Sequence, residues 1–276
     1  MFTSLLFAAI LGHRQAPAPT QGVGDLLIAP TRVVLDTTKR NAEVNLLNTG
    51  DKAATYRISF IHQRMNADGK LEDVTTPGPD EKFADDLVRF TPRQVVLEPH
   101  VAQLVRIQLR LPADLAAGEY RSHLLFRAVP AAIAADEPAA GAPAKGIDIK
   151  ITPIYGVSIP VIVRSGETSS TVTMQDLHLV TTPEGVQGVI GKLSRTGNAS
   201  SYGQLSVSYA PRGGSFKSVG QVNGVAVYTP NASRNFGVRL TVPDGEKLAA
   251  GTIRVTYRQV PSEGERVLAE ATFDVP

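Results

Sequence analysis

The stretch IDIKITPIYGVSIPVIVR, residues 147–164, is the longest β-like segment the sequence offers. In an extended backbone Ile147, Ile149 and Ile151 share one face, with Asp148, Lys150 and Thr152 on the other. Tyr155 and Val157 continue the odd-numbered face where no bulge intervenes. Pro153 and Pro160 lie within the same segment, and a residue without an N–H belongs at a sheet edge or a bulge. An edge strand is therefore expected. Its isoleucine face either packs within its own domain or is offered to a partner. Directly before it runs PAAIAADEPAAGAPAKG, residues 130–146, an Ala/Pro-rich segment expected to be a mobile loop from which a strand could extend.

The surrounding chain has the same texture. Short alternating segments rich in Val, Ile, Thr and Tyr are broken by Gly, Pro, Asn and Asp. EVNLLN (43–48), YRISFIHQ (56–63), QLVRIQLRL (103–111) and YRSHLLFRAV (120–129) all read as strands, and NADGK (66–70) as a turn. IAPTRVVLD (28–36) reads as the first strand, with Arg32 set among apolar residues. No segment keeps a helical apolar period, so helices are expected to be few and short. SGETSS (165–170) reads as a linker. LNTGDKAATYRISF (47–60) and LSRTGNASSYGQLSV (193–207) echo one another as strand, Thr-Gly turn and Tyr-led strand, as two similar sandwiches would.

At 276 residues the chain can bury two cores. Its 28 basic and 26 acidic residues give a net charge of +2, which offers no basic footprint for nucleic acid. The absence of cysteine excludes disulfides, thiolate metal sites and a cysteine nucleophile. FTSLLFAAIL, residues 2–11, has the length of a signal-peptide core and is too short to span a bilayer, so export without stable membrane insertion is expected. The expected division is 1–24 signal or disordered segment, 25–164 first domain with its edge strand at 147–164, and 165–276 second domain.

A catalytic centre is not expected. No nucleophile elbow, phosphate-binding loop or zinc-binding helix motif is present, and the five histidines lack metal-ligand spacing. His62 and His123 read as strand residues and His100 as a turn residue, while Asp80, Glu81, Asp85 and Asp86 read as a solvated acidic loop. No enzyme activity, metal or cofactor is expected.

Four segments, in order, resemble the periplasmic chaperones of the chaperone–usher pilus pathway. PTRVVLD (30–36) matches the family's first-strand motif, with Arg32 at its signature arginine. VVLEPHVAQLVRI (95–107), EYRSHLLFRAVP (119–130) and IPVIVR (159–164) are similar to three later family strands. The resemblance implies an all-β protein of two immunoglobulin-like β-sandwich domains at an angle, with a cleft between them. It implies a non-catalytic periplasmic chaperone of a Gram-negative bacterium, holding pilus or fimbrial subunits by donor-strand complementation and passing them to an outer-membrane usher. Arg32 would anchor the subunit's terminal carboxylate, and Ile147, Ile149, Ile151, Tyr155 and Val157 would form the lent face. Glu119 and Arg164 fall where the family has an ion pair at the domain junction; the alternative is two separate surface charges. The family's second anchor is a lysine, but Pro160 stands at its place. Self-association through the lent edge is also expected. The alternative function is a secreted structural or adhesive protein whose two modules form part of a surface fibre.

Overall fold

A computed structural model describes residues 25–130, 154–241 and 248–276. Eleven strands precede residue 166: β1 (Leu26–Ala29), β2 (Val33–Leu35), β3 (Asn41–Asn48), β4 (Ala54–Ile61), β5 (Gln63–Met65), β6 (Leu71–Asp73), β7 (Val88–Thr91), β8 (Gln94–Leu97), β9 (Ala102–Leu109), β10 (Gly118–Val129) and β11 (Gly156–Ser165). Seven follow: β12 (Thr171–Thr181), β13 (Gln187–Thr196), β14 (Ser201–Pro211), β15 (Lys217–Val227), β16 (Ser233–Arg239), β17 (Gly251–Gln259) and β18 (Val267–Val275). Helix among the described residues is limited to 3-10 turns at Asp85–Leu87 and Pro261–Glu263.

The strands form two immunoglobulin-like sandwiches. In the first, a sheet ordered β1-β3-β9-β7 packs on one ordered β2-β11-β10-β4-β8. In the second, β12-β13-β16 packs on β15-β14-β17-β18. Each sandwich encloses its own core, because alternate residues of each strand point inward. Leu35, Leu46, Leu97, Ile107, Leu124, Phe126 and Ile159 fill the first, and Leu193, Leu205, Val227, Ile253 and Tyr257 the second. The echoed segments occupy equivalent places: β3 leads to β4 and β13 to β14, each crossing from one sheet to the other. The second of these turns needs its glycine. Gly197 has φ +100, and a Cβ there would stand 2.3 Å from the carbonyl oxygen of Ser169.

Two sequence expectations change. IAPTRVVLD is not one strand: β1 ends at Ala29, and β2 begins at Val33 in the opposite sheet. Pro30 cannot continue the ladder as a donor, so the chain switches sheets there and Arg32 lies at the crossing. The acidic loop is not simply solvated. Glu81 accepts from Arg64 Nη2 at 2.8 Å, and Asp85 accepts from Ser122 Oγ at 3.0 Å and pairs with His62 Nε2 at 2.9 Å. His62 between β4 and β5, Arg64 of β5 and Ser122 of β10 reach the loop and hold it, a long-range closure that local charge density does not encode.

Candidate interdomain site

Strand β10 builds the site through its alternation. Leu124 and Phe126 enter the first core, while Glu119, Arg121 and His123 point from the opposite face toward the second sandwich. All three are buried. The antiparallel register with β11 sets Glu119 opposite Arg164, Arg121 opposite Ile162 and His123 opposite Pro160. Strand β2 lies parallel on the far side of β11, with Val34 opposite Ile162. Arg32, two residues before Val34, joins the same face. Ile162, Val34 and Met65 meet Ala226, Tyr228 and Tyr202 of the second sandwich in a small apolar cluster.

Glu119 joins the two sandwiches. Its side chain is fully buried and accepts from Arg164 Nε at 3.2 Å, from the Ser200 amide at 3.0 Å and from the Ser200 hydroxyl. The Ser200 hydroxyl in turn accepts from the Thr229 amide at 3.0 Å. The hairpin β5–β6 adds a second set of cross-links: Asn231 donates to the Met65 carbonyl at 2.7 Å and the Asn235 amide to that of Ala67 at 2.8 Å.

Arg32 lies deep in this junction, its side chain only 7% exposed. Nε donates to Glu263 at 2.8 Å and Nη1 to the Tyr228 hydroxyl at 3.3 Å. The guanidinium stacks on Tyr202, 4.3 Å from the ring centroid. Burial pulls its pKa down, but Tyr228, Glu263 and Glu119 together outweigh that and leave it raised. The carboxylate now on Arg32 is thus the chain's own. Glu263 also approaches Arg164 Nη2 at 3.8 Å, so Glu119, Arg164, Glu263 and Arg32 form one line of alternating charge.

Arg121 and His123 are site residues that the sequence did not single out as such. Arg121 stacks on Tyr228 at 4.1 Å, and its Nη2 reaches the Thr229 carbonyl at 3.5 Å. Burial lowers its pKa, against the pull of Tyr228 and Glu119 and helped by Arg32. His123 meets the edge of Tyr228, with centroids 6.5 Å apart. Burial, then Arg121 and Arg32, push its pKa to about 3, so the imidazole is neutral. The sequence signal was available: Glu119, Arg121 and His123 at i, i+2 and i+4 form an ionisable face behind an apolar one.

The lent-strand residues divide. Ile147, Ile149 and Ile151 lie outside the described residues, as does the apolar segment at 2–11. Tyr155 and Val157 are 42% and 45% exposed, although they continue the odd-numbered face that buries Ile159, Val161 and Val163. One edge of β11 pairs with β10 from Gly156 to Ser165, while β2 covers the other edge only at Val161–Val163. Among the described residues the edge-strand expectation therefore holds for 156–160; at Val161–Val163 the strand is interior, because β2 pairs with its second edge there.

No protein-family model matches the chain, and no curated protein matches it. Solved structures do. The Pseudomonas aeruginosa CupB2 chaperone is 13% identical with a TM-score of 0.40, over 90% of this chain and 98% of that one. The YadV chaperone is 10% identical with a TM-score of 0.43, over 91% and 100%. A chain of the Salmonella enterica SafA pilin–SafB chaperone complex is 15% identical with a TM-score of 0.41, over 93% and 99%.

Proposed function

We propose that the protein is a periplasmic, non-catalytic chaperone that holds pilus or fimbrial subunits and passes them to an outer-membrane usher. The observation that carries this reading is the open half of β11. There the strand keeps β10 along one edge while, among the described residues, its other edge is unpaired before Val161, and Tyr155 and Val157 are exposed on the face that elsewhere fills a core. A strand of this kind completes the sheet of a subunit lacking one: main-chain hydrogen bonds supply affinity, and alternate apolar side chains fill the groove. The four ordered sequence motifs support the same reading, as does a buried arginine at the junction of two sandwiches. A subunit's terminal carboxylate would reach Arg32 by joining or exchanging with Glu263, where guanidinium geometry suits a carboxylate. The Glu119–Arg164 pair fixes the angle between the sandwiches.

Co-expression with candidate fibre subunits tests this. A 1:1 complex is expected, lost in Val157→Asp and in Arg32→Ala while both variants remain folded. Capture that survives both substitutions, or assembly of the protein itself into fibres, would overturn it.

A further inference from the structure

Arg32, Arg121 and Arg164 meet Glu119 and Glu263 at the junction, and Glu81 acts on Arg121 from the neighbouring loop. Arg164 pairs with Glu119 and approaches Glu263, and Arg32 pairs with Glu263. Arg121 makes no ion pair with any described residue. It is nevertheless buried, with 7% of its surface exposed, and its Nε and Nη1 have no hydrogen-bond partner among the described residues. The same holds for Nη2 of Arg32. Buried donors of this kind are uncommon, and a buried guanidinium without an anion is costly. Arg195 shows how a structural arginine is satisfied in this fold. It is as deeply buried, yet its nitrogens donate to the carbonyls of Asn231, Gly197 and Ala199 at 2.7–3.1 Å.

Arg121 and Arg32 stand around one ring, their guanidinium carbons 4.1 and 5.7 Å from the Tyr228 centroid. The register explains why the cation sits on β10. On this face β11 presents Ser158, Pro160 and Ile162 before Arg164, so it carries no second positive charge there. Arg121 lies opposite Ile162, one face position from the His123–Pro160 pair.

We propose that Arg121 is a second anion-binding residue, whose Nε–H and Nη1–H groups, with Nη2 of Arg32, take one carboxylate of a captured subunit. This rests on the reading of the protein as a subunit-holding chaperone. One carboxylate offers lone pairs for all three of these donors. His123, edge-on to Tyr228, is neutral and adds no charge to the site.

The test uses the full chain with acetate as probe, following arginine Nε–H resonances by NMR and subunit capture by co-expression. Acetate should shift the Arg121 and Arg32 resonances saturably, whereas chloride at equal ionic strength should not. Arg121→Gln should weaken acetate binding and subunit capture by roughly ten- to a hundredfold, the loss expected for charge-assisted hydrogen bonds. Arg121→Lys retains the charge without the fork and should fall between; it also serves as the test variant if Arg121→Gln does not fold. Equal acetate binding by wild type and the folded variant would overturn the proposal. Acetate binding that depends on Arg121, with capture unchanged, would assign the site to a free small carboxylate and overturn the subunit assignment. If capture is lost in Val157→Asp but kept in Arg121→Gln, the inference fails and the chaperone reading stands. If capture survives Val157→Asp, Arg32→Ala and Arg121→Gln alike, the chaperone reading itself fails.

Discussion

The two faces of β10 are both buried, yet they are built from opposite materials. One carries Leu124 and Phe126 into a dry core. The other carries Glu119, Arg121 and His123 into the contact with the second sandwich. Apolar burial is non-directional and tolerates any partner of suitable shape. A buried ionisable face is satisfied only by specific groups in specific places, so it selects one docking geometry. The first face makes a domain; the second makes a junction.

Substitutions should separate the two. Glu119→Ala strands Arg164 and the Ser200 amide together and is expected to cost about 3–5 kcal/mol, the range for breaking a buried pair from one side. Calorimetry should show the two sandwiches melting apart, because the loss falls on the junction. Leu124→Ala should cost about 2–5 kcal/mol, through a cavity in the first core, and lower the melting of that sandwich alone. Glu263→Gln weakens the pairing of Arg32 without opening a cavity and should cost about 1–3 kcal/mol in denaturant unfolding.

Acid acts on the charged face through His123. The pKa of His123 falls from 6.5 to about 3 in the folded chain, so the unfolded chain binds its proton first. Stability from this group is full above pH 6.5 and is lost as pH falls toward 3, by up to roughly 1.4 kcal/mol per pH unit. Denaturant titrations of wild type and His123→Leu should converge in slope above pH 6.5 and diverge below it. The smallest stability change is expected at the open end of β11. Val157→Asp is exposed and should change stability by less than about 0.5 kcal/mol while abolishing subunit capture.

Much of the fold was legible in the sequence because the side-chain period of a strand is written locally. Alternation marked β3, β4, β9 and β10, and Gly and Pro marked their ends. The charged line Glu119–Arg164 also fell on resembling motifs. The rest depended on distant pairing. Nothing near Arg32 announces that Glu263, Tyr228 and Tyr202, all far along the chain, will close over it. Nothing near Val161 announces that β2 will cover it while the residues before it keep an open edge. On β11 this face carries Pro160, and only the register shows that Arg121 of β10 lies beside it, opposite Ile162.

The most direct measurement is hydrogen exchange of the β11 amides in a purified 1:1 complex with a subunit, against the free protein. Strand lending predicts that open-edge amides at 154–159 gain protection, while those at Val161–Val163, already covered by β2, change little. A complex that forms without added protection at 154–159 would contradict it.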